Sequence, residues 1–478
     1  MVLSQKAIKG ATWTALSTFI ISGLSFAQIF IISMLLGPKS LGIISILLVV
    51  IGFAQMLYDM GLSNAVIQKK NMKIEDLSTL YWTNFIVGIA FFFLIMAFKG
   101  VIAEFYMNHE IESLLSMYSI VFLIIPFGQQ YEILLKKELA FNILSKIDVT
   151  SNLIGTSTSI LLMVWGYGIK SVVIGYLLIT FVKTVLLVYV GKEKWKPKFL
   201  FKIVHLKSYL NFGLYQMGES SINYFSKNLD FLIIGKVLGT VDLGYYTLAY
   251  NIVMIPVSKL NPIVTKVLFP LFSTIQDNSK QIKRGYLKML DLLGTLNIPI
   301  YIGIIITASS FIELFFGEKW SASLIYFQLL AYVGLIRTLE NPVGTVILAK
   351  GKANYAFYFN LIKMIIMIPV LISSAKLFGG VGIASSMIVI QLVSFFVSLI
   401  LLYKLINLNF KEVFSALRKP FYMNLIMLFG VVGVGFFFNR IDMKFIFQIV
   451  LGVTLYSFLV IKYNNWIYQL LPITKTNK

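Results

Sequence analysis

The stretch LLGPKSLGIISI at residues 35–46 returns as VLGTVDLGYYTL at residues 237–248, with Gly37 and Gly42 answered by Gly239 and Gly244. Each copy lies between two long apolar runs. Three further echoes occur in the same order: IAEFY (102–106) with FIELFF (311–316), LLKKELAF (134–141) with LAKGKANYAF (348–357), and GYGIKS (166–171) with GVGIAS (380–385). Gly, Leu and Ile are common in this chain, so one match alone carries little. Four collinear matches indicate a duplicated unit.

The runs between these echoes set the fold class. Apolar spans fall at 12–36, 41–66, 79–98, 113–135, 147–166, 171–190, 209–235, 241–264, 286–309, 322–349, 354–376, 381–403, 420–439 and 445–461. Each has the ~20 residues that carry a helix, at 1.5 Å per residue, across the ~30 Å hydrocarbon layer. Runs such as Ile43–Ile51 and Leu361–Ile372 lack the alternating polarity of a membrane β-barrel. Six spans separate equivalent helices, an even number, so the copies share one orientation about an axis along the membrane normal. The expected architecture is an all-α polytopic membrane protein of about fourteen transmembrane helices. Two parallel six-helix lobes, 1–205 and 206–405, precede two additional helices and a tail at 406–478.

Composition agrees: 58% of the 478 residues are hydrophobic and only 13% charged, against roughly 25% charged in soluble globular chains. The first run comes after Lys6 and Lys9 without an Ala-x-Ala-like site, and reads as a retained helix. With both termini in the cytoplasm, 28 of the 41 lysines and arginines fall inside, eight outside and five within spans. That bias obeys the positive-inside rule. Much of the net charge of +21 is therefore a topology signal and points to anionic membrane lipids, not to nucleic acid. There is no cysteine, and His109 and His205 have no partner at ligand spacing, so no metal centre and no cofactor are expected.

The five cations inside spans are Lys183, Lys227, Lys259, Arg337 and Lys363, on five different helices. Facing lipid near mid-span, each would cost ~2.5–3.5 kcal/mol, so they are expected to face protein or water. Lys259 is close enough to a span end to snorkel, and Lys227 with Asp230, or Arg337 with Glu340, stand at the i, i+3 spacing of an internal ion pair. The seventh span places Gln216, Glu219, Asn223, Lys227 and Asp230 at successive spacings of three or four. Such a polar stripe lines water or a ligand. A cationic drug would be repelled there by roughly 4 kcal/mol per charge at ~4 Å and an effective dielectric of ~20. A phosphate or diphosphate would be attracted, gripped bidentately by arginine and as a point charge by lysine. Tyr215, Tyr224, Phe225 and Tyr332 are candidates to stack on sugar faces. Asp59 and Glu219, with no cation within one helical turn, are the candidates to exchange a proton or sodium as a coupling ion.

The stretches NLDFLIIGKVLGTVDLGYYTLAYNIVMIP (228–256), VLFPLFSTIQ (267–276), FFGEKW (315–320), DMGLSNAVIQKK (59–70) and DLSTLYWTNF (76–85) resemble the Wzx-type polysaccharide flippases. The similarity spans roughly residues 1–400 and looks nearest to the colanic acid exporter and teichuronic acid translocase branch. The resemblance implies the multidrug/oligosaccharidyl-lipid/polysaccharide exporter fold and a non-enzymatic function. That function is moving undecaprenyl-diphosphate-linked oligosaccharide units between leaflets of the bacterial cytoplasmic membrane by alternating access. Partners implied are that lipid-linked cargo, membrane lipids and polysaccharide polymerase machinery. The competing readings are a multidrug cation exporter or a lipid II flippase of the same superfamily, and, in a different class, a polytopic polymerase or ligase. The last usually needs a sizeable polar loop or an acidic metal motif, and the sequence has no D-x-D.

The absence of native cysteine gives a direct test. Single cysteines at positions 183, 227, 337 and 363 are expected to react with water-soluble maleimides in membranes; shielding from aqueous reagents would remove that position from a wet cavity.

Overall fold

The structure, a computed structural model, describes residues 2–59, 66 and 74–463, with the side chains of 2–9, 11, 203–216, 219 and a few others outside the description. The described residues form fifteen α-helices: α1 (Val2–Leu35), α2 (Pro38–Asp59), α3 (Ile74–Phe105), α4 (Glu110–Tyr118), α5 (Val121–Lys137), α6 (Phe141–Val164), α7 (Lys170–Gly191), α8 (Ile203–Val237), α9 (Thr240–Val253), α10 (Asn261–Thr274), α11 (Ser279–Phe315), α12 (Ser323–Ala349), α13 (Ala353–Ile406), α14 (Phe410–Gly435) and α15 (Ile441–Tyr463). No strand occurs among the described residues. Only helices satisfy every backbone donor and acceptor within one segment, as the hydrocarbon demands. The protein is a multi-pass membrane protein.

Ten helical spans among the described residues are long and apolar enough to cross a membrane. One of them, in α13, is 53 residues long and covers two of the expected spans. Its two halves meet at Gly379, whose backbone (φ 62°, ψ −149°) only glycine adopts readily. α9 and α10 have 14 residues each, α8 carries five charged side chains and α12 two, Arg337 and Glu340; none of these four is among the ten.

The turns of the two copies recur in kind. Left-handed residues end equivalent helices at Gly37 and Gly239, Met107 and Gly317, and Leu139 and Gly351; at the fourth pair of connections, Gly166 answers Gly379. Glycine takes this conformation at no steric cost, while Met107 and Leu139 hold it against a penalty.

By packing, the chain forms two compact units, 1–244 and 245–478. In the first, α6 packs on α7 and α1, α5 on α7 and α3, and α8 on α2 and α3. The repeat assigns α8 to the second lobe, whereas its packing partners belong to the first unit. In the second, α11 and α13 flank α12 around a core of Phe272, Tyr286, Leu290, Leu293, Val346 and Leu402. The last two helices are part of this unit: α14 and α15 lie against α11, where the Tyr456 hydroxyl donates to the Thr295 carbonyl at 2.8 Å.

One contact in the first unit shows why the duplicated motif is glycine-rich. A Cβ on Gly42 would run into the carbonyl oxygen of Thr240, and a Cβ on Gly244 into that of Pro38. Pro38 and Thr240 are themselves repeat equivalents, so the contact is reciprocal. The starts of α2 and α9 approach backbone to backbone, a distance at which Cα–H groups can donate to carbonyls. Gly42→Leu is expected to lower stability by about 1–3 kcal/mol through overpacking. Gly23→Leu, with nothing within 4 Å of the added Cβ, is expected to be near neutral; thermal unfolding in detergent compares them.

Candidate functional site

In the second unit four polar side chains meet. α12 carries Arg337 and Glu340 on successive turns, and α13 supplies Lys363 from its first half and Gln391 from its second. The Gln391 Oε1 accepts from Arg337 Nε at 3.4 Å and from Lys363 Nζ at 3.3 Å. Lys363 Nζ stands 3.7 Å from a Glu340 oxygen. Arg337 Nη1 donates to the Tyr250 hydroxyl at 3.2 Å and to Met254 Sδ at 3.8 Å, with its guanidinium 5.9 Å from the Tyr250 ring centre. Glu340 and Lys363 have side chains only 13% and 21% exposed. Within this group two cations face one carboxylate, which leaves one positive charge over. Two cationic donors at low dielectric can hold an oxyanion.

A break in helical geometry underlies the cluster. Between α9 and α10, Pro256–Leu260 forms a π-turn, bounded by prolines at 256 and 262. Such turns admit an extra residue and redirect the chain beyond them. The next residue is Asn261, fully buried, whose amide donates to the Thr338 carbonyl and accepts from Asn297 Nδ2, both at 3.3 Å. Asn297 also donates to the Leu293 carbonyl at 3.0 Å, which ties α10, α11 and α12 together beside Arg337.

The first unit handles its charge differently. Lys183 on α7 lies 3.1 Å from Glu132 and 3.0 Å from Asp148, and Glu132 is also 2.8 Å from Lys136. Two lysines thus meet two carboxylates. Along the neighbouring helices the polar contacts continue: Gln55 Nε2 donates to the Tyr176 hydroxyl (3.1 Å), Gln129 Nε2 to Asp59 (2.9 Å), and the Tyr58 hydroxyl to Gln129 Oε1 (2.6 Å). Asp59 is therefore held by an amide from α5, the arrangement of a carboxylate that links two helices.

The remaining expected residues divide. Arg337 and Lys363 come together; Lys183, in the other unit, is bound up with carboxylates. Lys227 is exposed on α8 while Asp230 is only 1% exposed, so that i, i+3 pair does not share one environment. Glu340 contacts Lys363 on the neighbouring helix. Lys259 projects exposed from the π-turn, and Asn223 is half-buried. The side chains of Gln216, Glu219 and Tyr215 lie outside the described residues. Tyr224 and Phe225 pack on Phe53, at 5.8 and 4.7 Å between ring centres, and the Tyr224 hydroxyl donates to the Val49 carbonyl. These two rings serve helix packing in the first unit, because α8 is wedged against α2; Tyr332 is exposed.

Formal charge alone does not reveal three residues that organise these networks: Gln391, Gln129 and Tyr250. The sequence does carry a signal for Gln391, a lone amide in the otherwise apolar run MIVIQLV (387–393). For Lys183→Met, loss of the shared counter-charge is expected to cost about 2 kcal/mol, less than the ~3–5 of a fully buried pair because the groups are partly exposed. Adding Asp148→Leu is expected to recover part of it, since Glu132 keeps Lys136; a double-mutant cycle of thermal unfolding measures the coupling.

Comparison with known proteins adds descent to this geometry. The family described as polysaccharide biosynthesis protein matches residues 31–325. Lipopolysaccharide biosynthesis protein WzxC of Escherichia coli (strain K12) is 33% identical over 427 residues, covering 89% of this chain and 87% of that protein. Teichuronic acid biosynthesis protein TuaB of Bacillus subtilis (strain 168) is 34% identical over 464 residues, 96% of each chain. Among solved structures, the lipid II flippase MurJ in an inward closed conformation aligns with a TM-score of 0.80 at 17% identity over 96% of this chain and all of that one, which shows a shared fold. Matched over more than half its length, and more than 30% identical to two relatives over nearly all of it, the chain belongs to the polysaccharide biosynthesis protein family.

Proposed function

We propose that this protein is a flippase that carries undecaprenyl-diphosphate-linked oligosaccharide units from the inner to the outer leaflet of the bacterial cytoplasmic membrane. The units would feed a cell-surface polysaccharide polymerase. The observation that carries the reading is the Arg337–Lys363 pair: two cations inside a helical membrane protein, in contact with one neutral oxygen and outnumbering Glu340. A cation there costs several kcal/mol unless something repays it, and an anionic headgroup does so during each transport cycle. The diphosphate would sit at this pair, the sugars in the polar surroundings and the polyprenyl chain in lipid. Family membership supports the same cargo class, because the relatives are named for polysaccharide, lipopolysaccharide and teichuronic acid biosynthesis. The reading is of a transporter and not of an enzyme; cargo is moved with no bond made or broken. Asp59 and Glu219 remain the proposed sites of proton or sodium coupling.

Proteoliposomes containing the purified protein and a fluorescent undecaprenyl-diphosphate oligosaccharide test this. Quenching of outer-leaflet label is expected to reveal flipping that falls at least tenfold in Arg337→Ala and Lys363→Ala, while efflux of a cationic dye is absent. Dye efflux with no lipid flipping would instead make it a drug exporter. The same assay under a sodium or proton gradient, with Asp59→Asn, reads coupling; unchanged gradient dependence would remove Asp59.

A further inference from the structure

Gln391 is the least conspicuous member of the cationic cluster, and three observations give it a task. It is 2% exposed, its single carbonyl oxygen accepts from both Arg337 and Lys363, and its amide Nε2 has no hydrogen-bond partner. The orientation of the amide follows from chemistry. Both neighbours are donors without acceptor capacity, so the oxygen must face them and the NH2 must face away. A buried donor left unsatisfied costs about 1–3 kcal/mol, and native structures seldom keep one without a use.

A carboxylate at this position would draw the two cations together more strongly. It would also cancel the positive charge that Glu340 leaves over, and three helix-borne charges would become a neutral set of four. An apolar side chain would leave the charge but nothing to gather it, and like charges would spread apart. Glutamine is the side chain that gathers without cancelling. Resting on the reading of the Arg337–Lys363 pair as the anion site, we infer that Gln391 is the specificity-determining residue of that site. Its neutral oxygen sets the spacing of the two cations for a diphosphate, and its unpartnered NH2 is a third donor for a phosphate oxygen when the headgroup arrives. A hydrogen bond from a neutral donor to a charged acceptor discriminates between an anionic headgroup and its uncharged analogue.

The test compares farnesyl diphosphate with farnesol, two probes that share an isoprenoid chain and differ in the headgroup. Binding is measured on the full-length protein in nanodiscs by competition against a labelled prenyl diphosphate for the first probe and by thermal shift for both. The wild type is expected to prefer farnesyl diphosphate by at least tenfold. Gln391→Glu is expected to lose at least tenfold of that preference, ~1.4 kcal/mol, with thermal unfolding unchanged or raised, because the added carboxylate pairs with both cations. Gln391→Glu keeping the preference would mean that the charge at this cluster does not govern the headgroup, and that result overturns the inference. Because the added carboxylate would weaken anion binding whatever the amide does, Gln391→Met, which removes the amide and adds no charge, decides the role of the amide itself. It is expected to lower the preference about threefold to tenfold while farnesol binding holds; equal weakening of both probes means a packing role and overturns the inference. Arg337→Ala and Lys363→Ala separate the anion site from the role of Gln391 within it. If they abolish the preference and the Gln391 variants do not, the anion site stands and the role of Gln391 falls. If the wild type shows no preference, both fall.

Discussion

A charged side chain anchored within a hydrocarbon-embedded helix has no bulk water to turn to, and the polar interior of this protein is organised around that constraint. The two units meet it in different ways. In the first, Lys183 reaches two carboxylates on two other helices, and Lys136 completes a set in which positive and negative groups are equal in number. That network binds α5, α6 and α7 and has little charge left to offer a ligand. In the second, Lys363 lies beside Glu340, and a neutral amide accepts from both Arg337 and Lys363. A charge-balanced network stabilises a helix bundle; a charge-excess network stores a demand that an anion can meet.

The same constraint explains where the backbone deviates. Helices in lipid tolerate irregularity only where neighbouring groups take up the freed donors and acceptors. The π-turn at Pro256–Leu260 leads at once into Asn261, which exchanges hydrogen bonds with Thr338 and Asn297. The kink at Gly379 separates Lys363 from Gln391 within α13, so that one continuous stretch of chain can present both to Arg337. Irregular backbone and polar side chains therefore coincide in the second unit for one physical reason.

Much of the fold was legible in the sequence because the hydrocarbon layer imposes length and polarity on every helix, and because the duplication left its glycines in place. Gly37 and Gly239 mark turns that need a positive φ, and Gly42 and Gly244 mark an approach too close for any Cβ. Hydropathy, however, says which segments cross and not which segments touch. The packing of α8 on α2 could not be read, nor could the partners of Lys183, which lie 51 and 35 positions away at Glu132 and Asp148 on helices of their own. Spacing along one helix does not show that Glu340 meets Lys363, because a neighbouring helix brings partners from directions that one helix cannot anticipate. Gln391 carries no formal charge, so a reading of charge pattern passes over it, while the low dielectric strengthens the hydrogen bonds by which a neutral amide holds nearby cations.

Duplication constrains backbone and side chains unequally. A repeat keeps what backbone geometry requires, and the matched positive-φ positions and the reciprocal glycine contact are of that kind. Side chains facing the interior are under no such requirement and are free to diverge. The first copy filled its interior with amides, tyrosines and balanced charges; the second placed two cations and one carboxylate beside an amide with a spare donor. For a cargo with an anionic head and a long apolar tail, one such site suffices, because a second cationic site of equal strength would hold the headgroup in place where transport requires release. On the proposed reading, the chemical inequality of the two copies would serve turnover, with the cationic pair in a unit whose described backbone is broken at Pro256–Leu260 and Gly379.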